Sequence, residues 1–497
     1  MKPMKKYLLA TTPLAFLAGC AVGPDFEKPA VPEGAGYTAE PIAATAGTDA
    51  QGGAAQRFVD GMDIPGQWWT LFHSEPLNAL IERSLKANPD LEAAQAALRG
   101  AMENVAAERG AFFPTVQAGF TPQRQKDAAQ ISPTLSVPAS YFNLYTAQVT
   151  VSYMPDLFGL TRRTVESAEA QAEAQRYQLE ATYLTITSNV VAAAITEASL
   201  RAQIAATEAI VEADRGALDL LRRQLTLGQV APADVAAQQA TLAQAQATLP
   251  GLRKQLAQQR DLIAALAGGL PNQAPAERFE LAGLSLPEDL PLSLPAKLIE
   301  QRPDIQSAEA QLHSASAEVG VAIANQLPNF TFNITDGTSA TQIGQLFLPG
   351  NGFWTIGGTL SQTVLDGGTL LHRRRQADAA LEQAAAQYRG AVIGAFQNVA
   401  DTLHALQSDA ETLEADLVAE KAAGDSLAIA RKQLQLGAVA YLTLLNAEQT
   451  YQQAVLARVQ AQGSRYADTV ALFQSLGGGW WNREDVEAHK EKIALAP

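Results

Sequence analysis

The chain has 497 residues, with 36 Lys and Arg against 51 Asp and Glu, for a net charge of −15. Aromatic residues are only 6% and alanine is abundant, the composition of long helices in close contact and not of several globular domains. The acidic balance argues against a phosphate-backbone binder, and a single cysteine excludes an internal disulfide framework or a multi-thiolate metal site.

Lys2, Lys5 and Lys6 precede a short apolar run, Leu8 to Ala18, that ends in Leu17-Ala18-Gly19-Cys20. A basic leader, an apolar run and small residues before a cleavage point make a secretion signal over residues 1–19. The run is too short for a membrane-spanning helix, which needs roughly 20 apolar residues. The only cysteine stands at the cleavage point and matches the bacterial lipoprotein box. Cys20 is therefore expected to carry acyl chains, palmitate among them, and several chains anchor a protein stably. Ala21 and not Asp follows it, so no inner-membrane retention signal is evident.

The rest of the chain is written twice. Asn88-Pro89-Asp90-Leu91 recurs as Arg302-Pro303-Asp304-Ile305. Pro89 lies 25 residues before Pro114, as Pro303 does before Pro328. Asp156-Leu157-Phe158-Gly159 is echoed by Leu365-Asp366-Gly367-Gly368, and Gln224-Leu225-Thr226-Leu227-Gly228 by Gln433-Leu434-Gln435-Leu436-Gly437. Four landmarks in one order define a first repeat over 76–268 and a second over 301–476. Around them lie an N-terminal segment 20–75, a linker 269–300 and a tail 477–497, expected to form a belt.

Each repeat reads helix, strand, loop, strand, very long helix, tight turn, helix. Strands are expected at about 115–124, 145–154, 329–335 and 353–364; the long helices at about 160–227 and 369–436; the return helices at about 233–268 and 441–476. No proline interrupts either long helix, and at 1.5 Å per residue each would reach roughly 100 Å. Tyr177, Leu184 and Val191 fall at heptad spacing among Ala and Gln, as in a coiled coil or tubular assembly.

The strands alternate with period two. Tyr145, Ala147, Val149, Val151 and Tyr153 are interleaved with Thr146, Gln148, Thr150 and Ser152; Phe330, Phe332 and Ile334 with Thr331, Asn333 and Thr335. One apolar and one uncharged polar face suits a sheet between lipid and a wet lumen. Four strands cannot close a barrel, and an open sheet edge cannot be left in hydrocarbon. Several chains must then contribute strands; two would give eight and three would give twelve, both permitted.

These residues resemble the TolC-like outer-membrane factors, in the lipoprotein branch of OprM and NodT. The resemblance is carried by Cys20-Ala21-Val22-Gly23-Pro24-Asp25-Phe26, by Trp68-Trp69-Thr70-Leu71-Phe72, by Arg302-Pro303-Asp304-Ile305 followed by Ala308-Glu309, Leu312 and Gly320, and by Leu476-Gly477-Gly478-Gly479-Trp480. It implies the outer-membrane efflux fold, mainly helical with a small β part: a trimer with a twelve-stranded β-barrel in the outer membrane and a twelve-helix α-barrel through the periplasm of a Gram-negative bacterium. It also implies a homotrimer that is a passive exit duct for drugs or other small molecules, served by a periplasmic adaptor protein and an RND-type inner-membrane pump.

In the family, the turns between long and return helices close the tube at rest and meet the adaptor. Here these are Leu227, Gly228, Gln229 and Val230, and Leu436, Gly437, Ala438, Val439 and Tyr441. A glycine at a helix end permits the left-handed backbone that stops it. Val230, Val439 and Tyr441 are apolar residues at a tip otherwise expected to be exposed, which suits a partner surface. Family members often carry acids near the second tip, but Gly437 to Ala447 has none. The nearest gate candidate is Asp234, expected to pair with Arg431 or Lys432. Arg162-Arg163 and Arg373-Arg374-Arg375 begin the long helices and suit interfacial anchoring, lumen lining or solvated helix ends.

Catalytic patterns are missing: the five histidines are scattered, and there is no phosphate loop, nucleophile elbow or metal-ligand spacing. The chain is thus expected to be no enzyme, with no cofactor or metal and no nucleic-acid partner. Two alternatives to efflux remain: the outer-membrane duct of a type I protein secretion system, and a lipid-anchored coiled-coil structural protein that conducts nothing.

Overall fold

The computed structural model describes residues 21–30, 36–126, 141–484 and 486. In chain order these form β1 (Arg57–Asp60), α1 (Glu75–Ala87), α2 (Pro89–Arg109), β2 (Thr115–Lys126), β3 (Tyr141–Tyr153), α3 (Leu160–Thr226) and α4 (Pro232–Leu266). Then follow β4 (Asp289–Leu292), α5 (Pro295–Gln301), α6 (Pro303–Ala324), β5 (Asn329–Ala340), β6 (Gly352–Ser361), α7 (Thr369–Gln435) and α8 (Tyr441–Ser475). Among the described residues no helix is long and apolar enough to cross a membrane.

The sequence landmarks start and stop these helices. Pro89 and Pro303 open α2 and α6, where a missing N–H costs nothing. Asp156 accepts the backbone N–H groups of Thr161 (3.1 Å) and Arg162 (3.0 Å) at the start of α3. Asp366 accepts those of Gly368 (2.9 Å) and Leu370 (2.7 Å) at the start of α7. These backbone bonds, that of Leu370 first, hold the Asp366 carboxyl below its ordinary range. α3 and α7 are 67 residues each, and α4 and α8 are 35. α4 continues through Pro250, an internal proline.

The chain divides into two compact units. The first gathers the segment ending at Pro29 with 98–175 and 308–388. Its centre is an antiparallel sheet in the order β2-β3-β5-β6. The register lines Val116, Val151, Ile334 and Ile356 up across all four strands, and one row on Gln117, Thr150, Thr335 and Thr355. Directly opposed residues share a face, so the sheet has one apolar and one uncharged polar side along these rows. Threonines bridge the polar side, with Thr150 and Thr335 hydroxyls 3.3 Å apart and Thr146 and Ser339 hydroxyls 3.2 Å apart. The apolar side is open, with Val116, Trp354, Ile356 and Leu360 exposed. Among the described residues, β2 and β6 each pair on one side only. The strands at 329–335 and 145–154 differ in extent from the expected spans, as β5 continues to Ala340 and β3 starts at Tyr141. β5 passes through Asp336-Gly337, residues of low strand propensity held by pairing on both sides.

The second unit gathers 30–97, 176–307 and 389–497. Here β1 and β4 form a two-stranded parallel sheet, too short to show in the sequence pattern. Trp68 is fully buried and stacks on Phe473 with ring centroids 5.0 Å apart. Tyr466 Oη donates to the Leu284 carbonyl (3.0 Å), and Trp480 Nε1 to that of Gln301 (2.6 Å). The fully buried Arg465 donates to the Ala54 carbonyl (2.6 Å) and Thr45 Oγ1 (3.1 Å). The segments outside the repeats thus pack on α8 through donors that would be costly to leave unpaired.

Candidate functional site

The two turns that end the long helices share one backbone design. Gly228 (φ +71°) and Gly437 (φ +69°) are left-handed. Gln229 N–H reaches back to the Gln224 carbonyl (2.9 Å) and Gly228 N–H to that of Leu225 (2.9 Å). Ala438 N–H bonds the Gln433 carbonyl (2.9 Å) and Gly437 N–H that of Leu434 (3.0 Å). This paired closure satisfies carbonyls that a helix end otherwise leaves open. A Cβ on either glycine would meet nothing within 4 Å, so glycine is required there by backbone conformation and not by space.

Past the glycines the two tips differ. In the first, Pro232 opens α4 and the Asp234 carboxylate accepts Ala231 N–H (3.1 Å), while Asp234 N–H donates to the Ala231 carbonyl (3.1 Å). In the second, Tyr441 takes the position of Pro232, with 8% of its surface exposed. It packs with Leu221, Leu427, Leu444 and Leu445, and its hydroxyl donates to Gln238 Oε1 (2.7 Å). Gln238 is fully buried and donates to the Asp214 carbonyl (3.2 Å); Gln452 donates to the Asp214 carboxylate (3.1 Å). Arg431 Nη2 lies 3.2 Å from Glu448 Oε1.

Burial pushes the Asp214 and Glu448 carboxyls up; the Gln452 bond opposes this for Asp214, and Arg431 opposes it for Glu448. Burial also raises the Tyr441 phenol. One oxygen of each acid, Asp214 Oδ2 and Glu448 Oε2, is buried without a hydrogen-bond partner. Between the tips lies a recess of about 930 Å³ whose lining includes Gly228, Val230, Asp234, Arg431, Tyr441 and Glu448.

Two expectations are corrected. Asp234 does not pair with Arg431: its carboxylate is held by its own helix cap, and Arg431 turns to Glu448, whose buried charge needs a cation more. Lys432 is exposed and has no ion-pair partner among the described residues. Tyr441 is no exposed tip residue, since its ring closes the core between the helices while its hydroxyl serves Gln238. Val230 is half-buried against the same core, and Val439 is half-buried. The apolar groups that do face outward are Leu227, Leu436 and Leu442, at 71%, 75% and 64% exposure. Gln229 and Ala438 are exposed beside them.

Sequence reasoning missed Glu448, Asp214, Gln238 and Leu442. Glu448 was findable: it continues the apolar stripe Tyr441, Leu444, Leu445 at the next helical turn, so an acid there had to be buried. Cys20 lies outside the described residues. Of the arginine runs, Arg373, Arg374 and Arg375 are exposed, Arg162 pairs with Asp156 (3.0 Å), and Arg163 is buried.

Comparison with known proteins agrees with this architecture. The outer membrane efflux protein family model matches residues 80–269 and 294–478. The toluene efflux pump outer membrane protein TtgC of Pseudomonas putida is 28% identical over 483 residues, covering 97% of each chain. Nodulation protein T of Rhizobium leguminosarum bv. trifolii is 27% identical, covering 95% of this chain and 97% of that one. Among solved structures, the outer-membrane channel OprN superposes with a TM-score of 0.82 at 27% identity, over 93% of this chain and 100% of that one. The Campylobacter jejuni CmeC channel reaches 0.82 at 20% identity, over 96% and 98%, a likeness of fold alone.

Proposed function

We propose that this chain works as one third of an exit duct, and the premise is its family: it belongs to the outer membrane efflux proteins, so it is the outer-membrane channel component of an efflux system and not an enzyme. Three copies close their sheets into a twelve-stranded barrel in the outer membrane, and their long helices wall the periplasmic duct. The observation that carries this reading is the four-stranded sheet with one apolar face and two edges, β2 and β6, unpaired among the described residues. An open edge in hydrocarbon costs several kcal/mol per unpaired backbone group, about the scale that makes an isolated sheet impossible there. Acyl chains on Cys20 add a lipid anchor.

The tips are the docking surface for a periplasmic adaptor, which joins the duct to an RND-type pump. Leu227, Leu436 and Leu442 supply the apolar contacts, and the chain's passive role leaves cargo selection to the pump. Asp234, Arg431 and Lys432 stand in the gate region, where the Arg431–Glu448 pair ties the start of α8 to the end of α7. Purified protein in planar bilayers tests the duct. Stepwise conductance is expected, and drug, dye and solvent tolerance should fall when the gene is disrupted. Silent bilayers together with unchanged tolerance would contradict the reading.

A further inference from the structure

The first unit holds a second built site, made from the chain's own N-terminal segment. Residues 21–28 lie along α3 and α6. Ala21 rests on Gly159, whose added Cβ would come within 2.6 Å of the Ala21 Cα. Val22 N–H donates to the Phe158 carbonyl (3.1 Å). Gly23 meets Gly320, Phe26 stacks on His313 with centroids 4.4 Å apart, and Lys28 pairs with Glu309 (3.2 Å). As the numbers in the segment fall, those of its partners on α6 rise. The segment therefore climbs α6 toward β5, and its N-terminal end arrives between β3 and α3.

Arg163 fastens it. The side chain is only 4% exposed, and its guanidinium donates to the carbonyls of Val22 (3.1 Å) and Gly23 (3.5 Å) and to the carboxylates of Asp25 (2.7 Å) and Glu166 (2.7 Å). Three of these four acceptors belong to the segment. Without the segment the guanidinium keeps Glu166 alone, so its remaining N–H donors are satisfied within the protein only with the segment in place. The seat is shaped by glycines. Gly23 has φ +97°, and a Cβ on it would sit 2.4 Å from the Gly320 Cα. A Cβ on Gly320 would sit 2.8 Å from the Arg163 Cγ. His313 Nε2, 3.0 Å from Glu166 Oε1, completes the cluster.

We propose that Arg163, seated by Gly23, Gly159 and Gly320, is a clamp that binds the peptide continuing from Cys20 and delivers it to the junction of β3 and α3, so that lipid anchor and sheet meet the bilayer as one body. The reading of Cys20 as the lipid-bearing residue is assumed here. The clamp is not the conducting path and not the adaptor surface, and it sets where the anchor emerges.

The test uses the full-length protein carrying Glu27→Cys, an exposed site, with a nitroxide label read by electron paramagnetic resonance. Cys20 is the sole native cysteine. If acylated it takes no label, so labelling of the unsubstituted protein would refute lipidation while leaving the clamp measurable. The label should be immobilised in the otherwise native chain. Arg163→Met and Gly23→Val should each raise the fast-moving fraction several-fold in oligomers that still assemble, and Asp25→Asn should change it little because the carbonyl bonds remain. An immobilised label in both Arg163→Met and Gly23→Val overturns the clamp. Should Arg163→Met fail to assemble, Gly23→Val decides alone, since it leaves α3 and α6 unaltered.

Discussion

The first and second tips have the same backbone and different chemistry. Each long helix ends on a left-handed glycine with the same pair of backward hydrogen bonds. After that point the hydrogen bonds of the first tip form a cap built from Pro232 and Asp234, all local in sequence, while Val230 packs on the shared core. The second borrows its support from the other repeat, through Tyr441 to Gln238 and on to Asp214. Duplication preserved the stop signal, which is a property of a few neighbouring residues, while long-range polar contacts diverged. The cap of the first tip can form on local information, whereas the second tip depends on α3 and α4 being in place.

The strongest way to break this comparison is to attack what the tips share. Valine at Gly228 or Gly437 forces a β-branched residue into a left-handed backbone, at about 1–3 kcal/mol of local strain. Either substitution is expected to abolish efflux, read as drug tolerance, while the oligomer still assembles on a gel. Undiminished export with normal adaptor cross-linking would contradict a role for the turns. Next comes the difference between the tips. Tyr441→Phe leaves the buried Gln238 oxygen unpaired, costing about 1–3 kcal/mol, and should speed hydrogen exchange in both α8 and α4. Asp234→Ala removes only a cap, about 1 kcal/mol, and should loosen the first turn of α4 alone.

A pH series sharpens the same contrast. Asp214 and Glu448 have native values raised above 3.8 and 4.5 by burial. The native state therefore holds these protons longer than the unfolded state does. Their contribution is complete below those ordinary values and is lost as pH rises through the raised ones. Protection of the second tip should fall as pH climbs out of the acid range; Asp214→Asn should flatten the fall, and the first tip should not follow it. The smallest effect belongs to Lys432→Ala, expected to stay within about 0.5 kcal/mol because the side chain is solvated.

Much of this fold was legible because its signals are local. Asp156 and Asp366, Pro89 and Pro303, Gly228 and Gly437 each set a helix boundary with atoms a few residues away. The apolar and polar sides of the sheet follow from period-two alternation. What stayed hidden depends on partners far along the chain. β1 and β4 are four residues each and exist only as a pair. Arg163 reads as one of two arginines at a helix start, and nothing local says that it would be buried beneath Val22 and Gly23. Arg431 was placed with the wrong acid because Asp234 lies near the tip in sequence, whereas the buried Glu448 has the greater need of a counter-charge.

The central claim is that β2 and β6 find their missing neighbours in other copies of the chain. Inter-chain disulfide trapping tests it most directly, with one cysteine on β2 and one on β6 in protein embedded in native outer membrane. The account predicts covalent species of two and three chains on a denaturing gel, with three the limit short of closure. Only single chains, across a panel of positions covering every register of the two strands, would contradict it.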